Sequence, residues 1–492
     1  MRSLSLVALV CLLAAAGCDP TPKEESTATD PTWTSGAEGE GEGEGEGEGE
    51  APDTDGDGVP DALDEDIDGD GLSNTVEDSL GTDPSDEDSD DDGVSDGVEV
   101  AAGSDPLDAG SLPEVTVIEV GSDASVEEIS SFTLALQQVD VAFVVDNSGA
   151  MAGALTDVVD GFGDVAVAAE GLAVTSELGF ATFSDYAGST FGDPGAQDRP
   201  FALRQQMSNN LREVLTAVGA VTVADGLDAP QAGMEALYQA ATGAGYDMDC
   251  DGSFDADTDV APLIADPRDP FGGEGGGALD RSDRSTGDYG GFGFREYALP
   301  IIVYATDAAL RDPESETAEL SASPGGCPGD AGATGVAAAI DQAGAILVAL
   351  SPDATAPLAQ MDALATATGS LGDLDGDGLI NDPLVYSWTV GSSSLSATVQ
   401  GALEDAVHAL RFSTISLDVQ VEGEGLEVSV EPSTVEVSGE VLGDRIDFSL
   451  TYSVSGAPAE DDRLFSLTLR VLGDDRVLLG EQTLVVLVPA GT

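Results

Sequence analysis

The chain has 492 residues, with 95 acidic and 15 basic side chains, a single histidine and a formal charge of −80. At about 100–200 residues per domain two to four domains are expected, and a 41% hydrophobic fraction provides for real cores. The charge excludes nucleic-acid and anionic-lipid surfaces by repulsion, and with only His408 available, histidine metal centres and Ser/His or Cys/His catalysis are not expected.

The positive charge is distributed unevenly. Lys23 is the only lysine, and no basic residue occurs from Glu24 to Asp198. Residues 36–110 hold 29 Asp and Glu, so this stretch must stay extended or be neutralised by bound cations.

Met1-Arg2 followed by the apolar run Leu6–Ala16 reads as a secretory signal over residues 1–17, since eleven apolar residues are too few to span a bilayer. The run ends Leu13-Ala14-Ala15-Ala16-Gly17-Cys18, which resembles a bacterial lipobox. That resemblance implies lipidation of Cys18 and attachment to the cell envelope, with the outer membrane or cell surface expected. A plain signal peptide cut near Ala16 is the alternative. After Cys11 and Cys18, the remaining Cys250 and Cys327 are the natural disulfide pair of an oxidising compartment, the alternative being two free thiols.

Residues 18–52, ending in Gly-Glu alternation, read as an extended disordered linker. Order is expected from residue 53. Asp53, Asp55, Asp57, Asp61 and Asp64 stand at loop positions 1, 3, 5, 9 and 12, with Gly58 at 6. The spacing returns at Asp66, Asp68, Asp70, Asn74, Glu77 and at Asp88, Asp90, Asp92, Asp96, Glu99, the last two units repeating at 22 residues. A chain wrapping one Ca²⁺ needs alternate oxygen-bearing side chains pointing inward and a glycine at the sharp turn. Over residues 53–108 the chain resembles thrombospondin type 3 repeats, which implies a calcium-stiffened stalk that loses its order without the ion. The flanks do not read as EF-hand helices.

After a connecting β segment at 109–136, strands and helices alternate over 137–412. Strands are predicted at Val139–Asp146, Glu177–Phe183, Pro300–Asp307, Ala345–Leu350 and Val385–Val390. Helices are predicted at Gly149–Gly171, Asn209–Val218, Gln231–Thr242, Ala331–Ala343, Leu358–Thr368 and Leu395–Leu410. This pattern means an α/β, Rossmann-like, mostly parallel sheet with ligands beyond the strands' C-terminal ends.

Asp146-Asn147-Ser148-Gly149-Ala150-Met151 and Thr306-Asp307 close two of those strands. With them the region resembles a von Willebrand factor A domain. Asp225-Gly226-Leu227-Asp228-Ala229-Pro230-Gln231 and Gly293-Phe294-Arg295 look like the integrin β version, whose paired disulfide also falls in the regions of Cys250 and Cys327. The resemblance implies a metal-ion-dependent adhesion site of Asp146, Ser148, Asp307, Gln231 and Asp228. That site would take Mg²⁺ or Mn²⁺, with one position open for an acidic residue of a protein partner. Ala150 replaces a serine and Gln231 a glutamate of the family pattern.

Two further loops, Asp247, Asp249, Asp251, Asp255 and Asp373, Asp375, Asp377, Asn381, repeat the calcium spacing, with Thr258 and Leu384 at position twelve. Each follows a helix and precedes a strand, so both are expected at the sheet edge opposite Asp146. The Gly-rich insertion 270–293 reads as a mobile loop or partner surface. His408 reads as a helix C-terminal cap or a partly buried residue. Residues 413–492 carry six short alternating runs and read as a small all-β sandwich.

The expectation is a non-enzymatic, envelope-anchored, calcium-binding adhesion or ligand-binding lipoprotein, touching the membrane only through its anchor. The alternative is a non-adhesive scaffold of an envelope complex with a degenerate metal site.

Overall fold

The computed structural model describes residues 52, 54–55, 59–111, 116–121, 125–193, 195, 198–224, 229–263, 269–271, 279, 287–353, 357–454 and 463–489. The signal peptide, Cys18, nearly all of the Gly/Glu linker, Asp53, Asp57, Asp225, Asp228 and most of the insertion lie outside the described residues. Among those described, no helix is long and apolar enough to cross a membrane.

The acidic loops lead into two short helices, α1 (Asn74–Leu80) and α2 (Asp96–Ala102). Each stops at a left-handed glycine, Gly81 at φ 94° and Gly103 at φ 79°, whose N–H returns to the carbonyl of Glu77 or Glu99. Seven residues are too few to hold a helix in water alone. Each helix begins at the ninth residue of its own loop.

Strands β1 (Thr116–Glu119) and β2 (Ser125–Thr133) come next. The α/β region then runs β3 (Gln138–Asp146), α3 (Ala152–Glu170), β4 (Thr175–Phe183), β5 (Ala202–Ser208), α4 (Leu211–Gly219) and α5 (Gly233–Thr242). It continues with β6 (Leu299–Ala305), α6 (Ala333–Ala343), β7 (Ile346–Pro352), α7 (Leu358–Ala367), β8 (Leu371–Gly372), β9 (Asp382–Pro383), β10 (Val385–Trp388) and α8 (Leu395–His408). The C-terminal strands are β11 (Thr414–Val421), β12 (Leu426–Glu431), β13 (Thr434–Glu436), β14 (Arg445–Val454), β15 (Arg463–Gly473) and β16 (Val477–Val488).

The central sheet has the order β10-β7-β6-β3-β4-β5. Five strands are parallel, and β5 closes one edge antiparallel to β4. β3 is buried from Val139 to Asp146 because helices cover both faces, so Val141–Val145 is a continuous apolar run with a buried carboxylate at each side, Asp140 and Asp146. Its side chains divide strictly by parity. Val139, Val141, Phe143 and Val145 pack towards α3 and α8, while Ala142 and Val144 pack towards α5 and α6. The expected α/β class therefore holds. The edge strand β5 was not predicted, since ALRQQMS has no clean alternation and its pairing with β4 slips register.

The sandwich consists of a sheet ordered β1-β16-β15-β11-β13 and a sheet ordered β12-β14-β2. β1 lies parallel to β16 and β2 antiparallel to β14. The segment read as a connection thus supplies two strands of the sandwich. The whole α/β region is an insertion between β2 and β11, and its core is continuous with the sandwich core along the α3/α8 face.

Arg295 fastens the lower end of the sheet, where β3 and β4 begin. Its backbone N–H and Nε donate to Asp140 at 2.7 and 2.8 Å, its Nη2 lies 2.6 Å from Asp140 Oδ1, and its Nη1 lies 3.5 Å from Glu177. Asp140 is fully buried, which pushes its carboxyl up while Arg295 pulls it down. Within the Gly-Phe-Arg motif, the arginine is therefore a structural clamp.

Candidate metal sites

The first candidate site lies at the C-terminal ends of β3 and β6. Asp146 is fully buried, its Oδ1 accepting the Ser148 N–H at 2.8 Å and its Oδ2 accepting the Thr306 hydroxyl at 2.6 Å. Burial pushes its carboxyl up to about 6, opposed by those hydrogen bonds and reinforced by nearby Asp307. The Ser148 hydroxyl and Asp307 Oδ1 are buried and have no hydrogen-bond partner. Burial also raises the Asp307 carboxyl. Buried oxygens are normally satisfied, so two held beside a fixed carboxylate fit a hard cation.

Gln231 is buried and is brought to this end by a parallel bridge. Its N–H donates to Ala309 at 2.9 Å and its carbonyl accepts from Arg311 at 2.7 Å. Asn147 draws in the segment before the Asp228 loop, donating from Nδ2 to Thr222 and accepting from Ala224. Ala150 is exposed and offers no oxygen.

Thr306 was not among the predicted site residues, although its position directly before Asp307 was a usable signal. Arg311 was also missed. It is buried, lies 3.5 Å from Asp185, stacks 3.7 Å over Phe191 and donates to Pro230 at 2.9 Å, which ties three loops of this edge together.

Four groups of three carboxylates each bring one oxygen per residue within 4.8 Å of the others: Asp66/Asp68/Asp70, Asp88/Asp90/Asp92, Asp247/Asp249/Asp251 and Asp373/Asp375/Asp377. In the two stalk groups the twelfth residues, Glu77 and Glu99, are fully buried with neither carboxylate oxygen hydrogen-bonded. Burial and then the neighbouring carboxylates push Glu77 up to about 8. Such a group is stable only with a proton or a cation.

The ninth residues also make a contact that the spacing did not show. Asp61 accepts the Thr54 N–H at 2.9 Å, Asn74 the Ile67 N–H and Asp96 the Ser89 N–H, both at 3.1 Å. Each clasps the second residue of its own loop. In the two domain loops this clasp is not made by the predicted Asp255 or Asn381. Asp259 holds Met248 N–H at 2.9 Å, and Asp382 holds Leu374 N–H at 2.8 Å.

The two domain loops also lie at opposite ends of the sheet, where the element order had suggested one end. The Asp373 loop precedes β10 on the far side from Asp146. After α5, however, the chain doubles back through left-handed Gly243 and Gly245, the latter held at both N–H and C=O by Gln239. The Asp247 loop therefore meets Arg199 and Gly188, which follow β4, and bridges Cys327, which follows β6.

Cys250 and Cys327 form the disulfide, 77 residues apart in sequence. Replacing both with serine is expected to cost roughly 2–4 kcal/mol, read as a lowered thermal midpoint that reductant no longer changes. His408 is exposed in the last turn of α8 with Nδ1 2.8 Å from the Glu404 carbonyl.

The fold defines an α/β domain with acidic loops, inserted in a β-sandwich and preceded by acidic repeats. The bacterial TSP3 repeat family matches residues 66–87 and 88–109, which identifies this stretch as calcium-binding repeats. No curated protein matches the chain. Among solved structures it is similar to a von Willebrand factor type A protein from Catenulispora acidiphila, with 10% identity, 75% of this chain and 71% of that chain covered, and a TM-score of 0.31. It is also similar to the pilus adhesin SpaC of Lactobacillus rhamnosus GG, with 12% identity, 74% and 46% covered, and a TM-score of 0.30. Proximal thread matrix protein 1 of the mussel byssus gives 10% identity, 57% and 48% covered, and a TM-score of 0.29.

Proposed function

We propose that this protein is an envelope-anchored lipoprotein that displays a ligand-binding or adhesion domain on a calcium-ordered stalk. The supporting observation is the buried oxygen set of Asp146, Ser148 and Asp307, with Thr306 fixing the first carboxylate. Mg²⁺ or Mn²⁺ held there would lend its charge to an acidic group of a protein partner. In this reading Asp146 and Asp307 supply carboxylate oxygens, Ser148 a hydroxyl and Gln231 an amide oxygen, with Asp228 the further ligand that the family resemblance implies. Cys18 supplies the lipid anchor.

The scaffold reading draws on one observation, the exposed Ala150 in place of a third hydroxyl. A Mn²⁺ titration of the full chain, with its calcium loops saturated, separates the two. Asp146→Ala is expected to remove one site while leaving the fold intact. Identical titrations of wild type and variant would sink the adhesion reading and leave the scaffold.

A further inference from the structure

The acidic loops are stacked on one another, and the last rests on the sandwich. A Cβ at Gly69 of the second loop would lie 3.0 Å from the Asp55 carboxylate of the first. Asp70 of the second accepts the Gly97 N–H of the third at 2.6 Å. At Gly97 a Cβ would lie 2.2 Å from the Asp70 carbonyl oxygen and 3.0 Å from Leu464 Cδ1, so only glycine allows α2 this close to both neighbours. α2 packs against β15 and β16, and Asp96, Gly97, Val98 and Glu99 are all buried. Buried Glu77 and Glu99, lacking hydrogen-bond partners, face the carboxylates of their own loops.

We propose that calcium bound at the second and third loops latches α2 onto the β15–β16 face, making the stalk a calcium-dependent part of the sandwich and not a freely swinging spacer. Asp70 carries the coupling, because one loop's carboxylate sets the other loop's helix against Leu464. Without the ion, the mutual repulsion of Asp66, Asp68, Asp70, Glu77 and Asp96 opposes this packing, and a seven-residue helix has no stability of its own to resist it. Linkage makes the effect reciprocal. If calcium strengthens the seat, the seat strengthens calcium binding by the same factor.

The test is hydroxyl-radical oxidation of Leu464 in the full chain, with calcium and with chelator, read by mass spectrometry alongside fully buried Leu469 of the same strand. Chelation is expected to raise Leu464 oxidation severalfold and leave Leu469 unchanged. Leu464→Asp is expected to weaken calcium binding at the two loops about fivefold or more. If that variant unfolds the sandwich, Leu469 oxidation rises too, and Asp90→Ala, which removes a ligand of the third loop and leaves buried Glu99 in place, is used instead. At a calcium concentration that just saturates the wild type, Asp90→Ala should leave Leu464 about as reactive as in chelator. Leu464 oxidation that ignores calcium while both loops fill, or that stays low in Asp90→Ala while its third loop is empty, would overturn the latch. None of these readouts depends on the site at Asp146.

Discussion

Arg295→Ala is expected to destabilise the α/β domain by roughly 3–5 kcal/mol, because it leaves a buried carboxylate without its charge partner. Asp140 is fully buried and receives both the backbone and the guanidinium of Arg295, while Glu177 of β4 stands 3.5 Å from the same group. Arg295→Lys should recover little. One ammonium cannot reach Asp140, the Val139 carbonyl at 3.1 Å and the Thr175 hydroxyl at 3.1 Å together. Denaturant midpoints of Arg295→Ala, Asp140→Asn and the double variant form the measurement. The double variant should cost clearly less than the sum of the singles. A loss below about 1 kcal/mol for Arg295→Ala would mean the pair behaves like a surface salt bridge.

Chelation of calcium at pH 8.5 is expected to abolish hydrogen-exchange protection in α1 and α2. At a calcium concentration of about 100 times Kd, each site adds about 2.7 kcal/mol, and little else in seven residues replaces it. Burial first, then neighbouring charge, raises Glu77 to about 8, while burial raises Glu99 to about 7 and Asp70 to about 6. These raised values mean that the ion-free fold favours the protonated acids. Their stabilising contribution is complete below the ordinary carboxylate range and is lost as pH rises through about 6 to 8. The chelated protein should therefore retain more of both helices at pH 5 than at pH 8.5. The calcium-loaded protein at pH 8.5 should keep them fully. Protection that survives chelation at pH 8.5 would show that the loops order themselves without an ion.

The two acidic repeats were legible because a cation site wrapped by one continuous segment leaves its ligand period in the sequence. Asp66, Asp68 and Asp70, and Asp88, Asp90 and Asp92, converge in space at the positions their alternation implies. The role of the ninth residues was not legible. Spacing alone does not distinguish a carboxylate that faces an ion from one that clasps the backbone N–H of the second residue, as Asp61 and Asp96 do. The same ambiguity hid Asp259 and Asp382, whose function depends on where the loop closes. The position of Thr306 before Asp307 was readable, but that its hydroxyl fixes the Asp146 carboxylate shows only once β3 and β6 lie side by side.

The sequence by itself determined the class of the central sheet, the position of Asp146 and Asp307 at strand ends, the calcium-loop spacing and the pairing of Cys250 with Cys327. Each is a local pattern or follows from a small number of candidates. Only the tertiary structure decided that β1 and β2 belong to the sandwich, that Arg295 closes on Asp140 and that α2 rests on β15 and β16. Those contacts join segments from about 150 to more than 350 residues apart. No sequence period encodes such a pairing, and it is selected by the shape and burial of surfaces that exist only once both segments have folded.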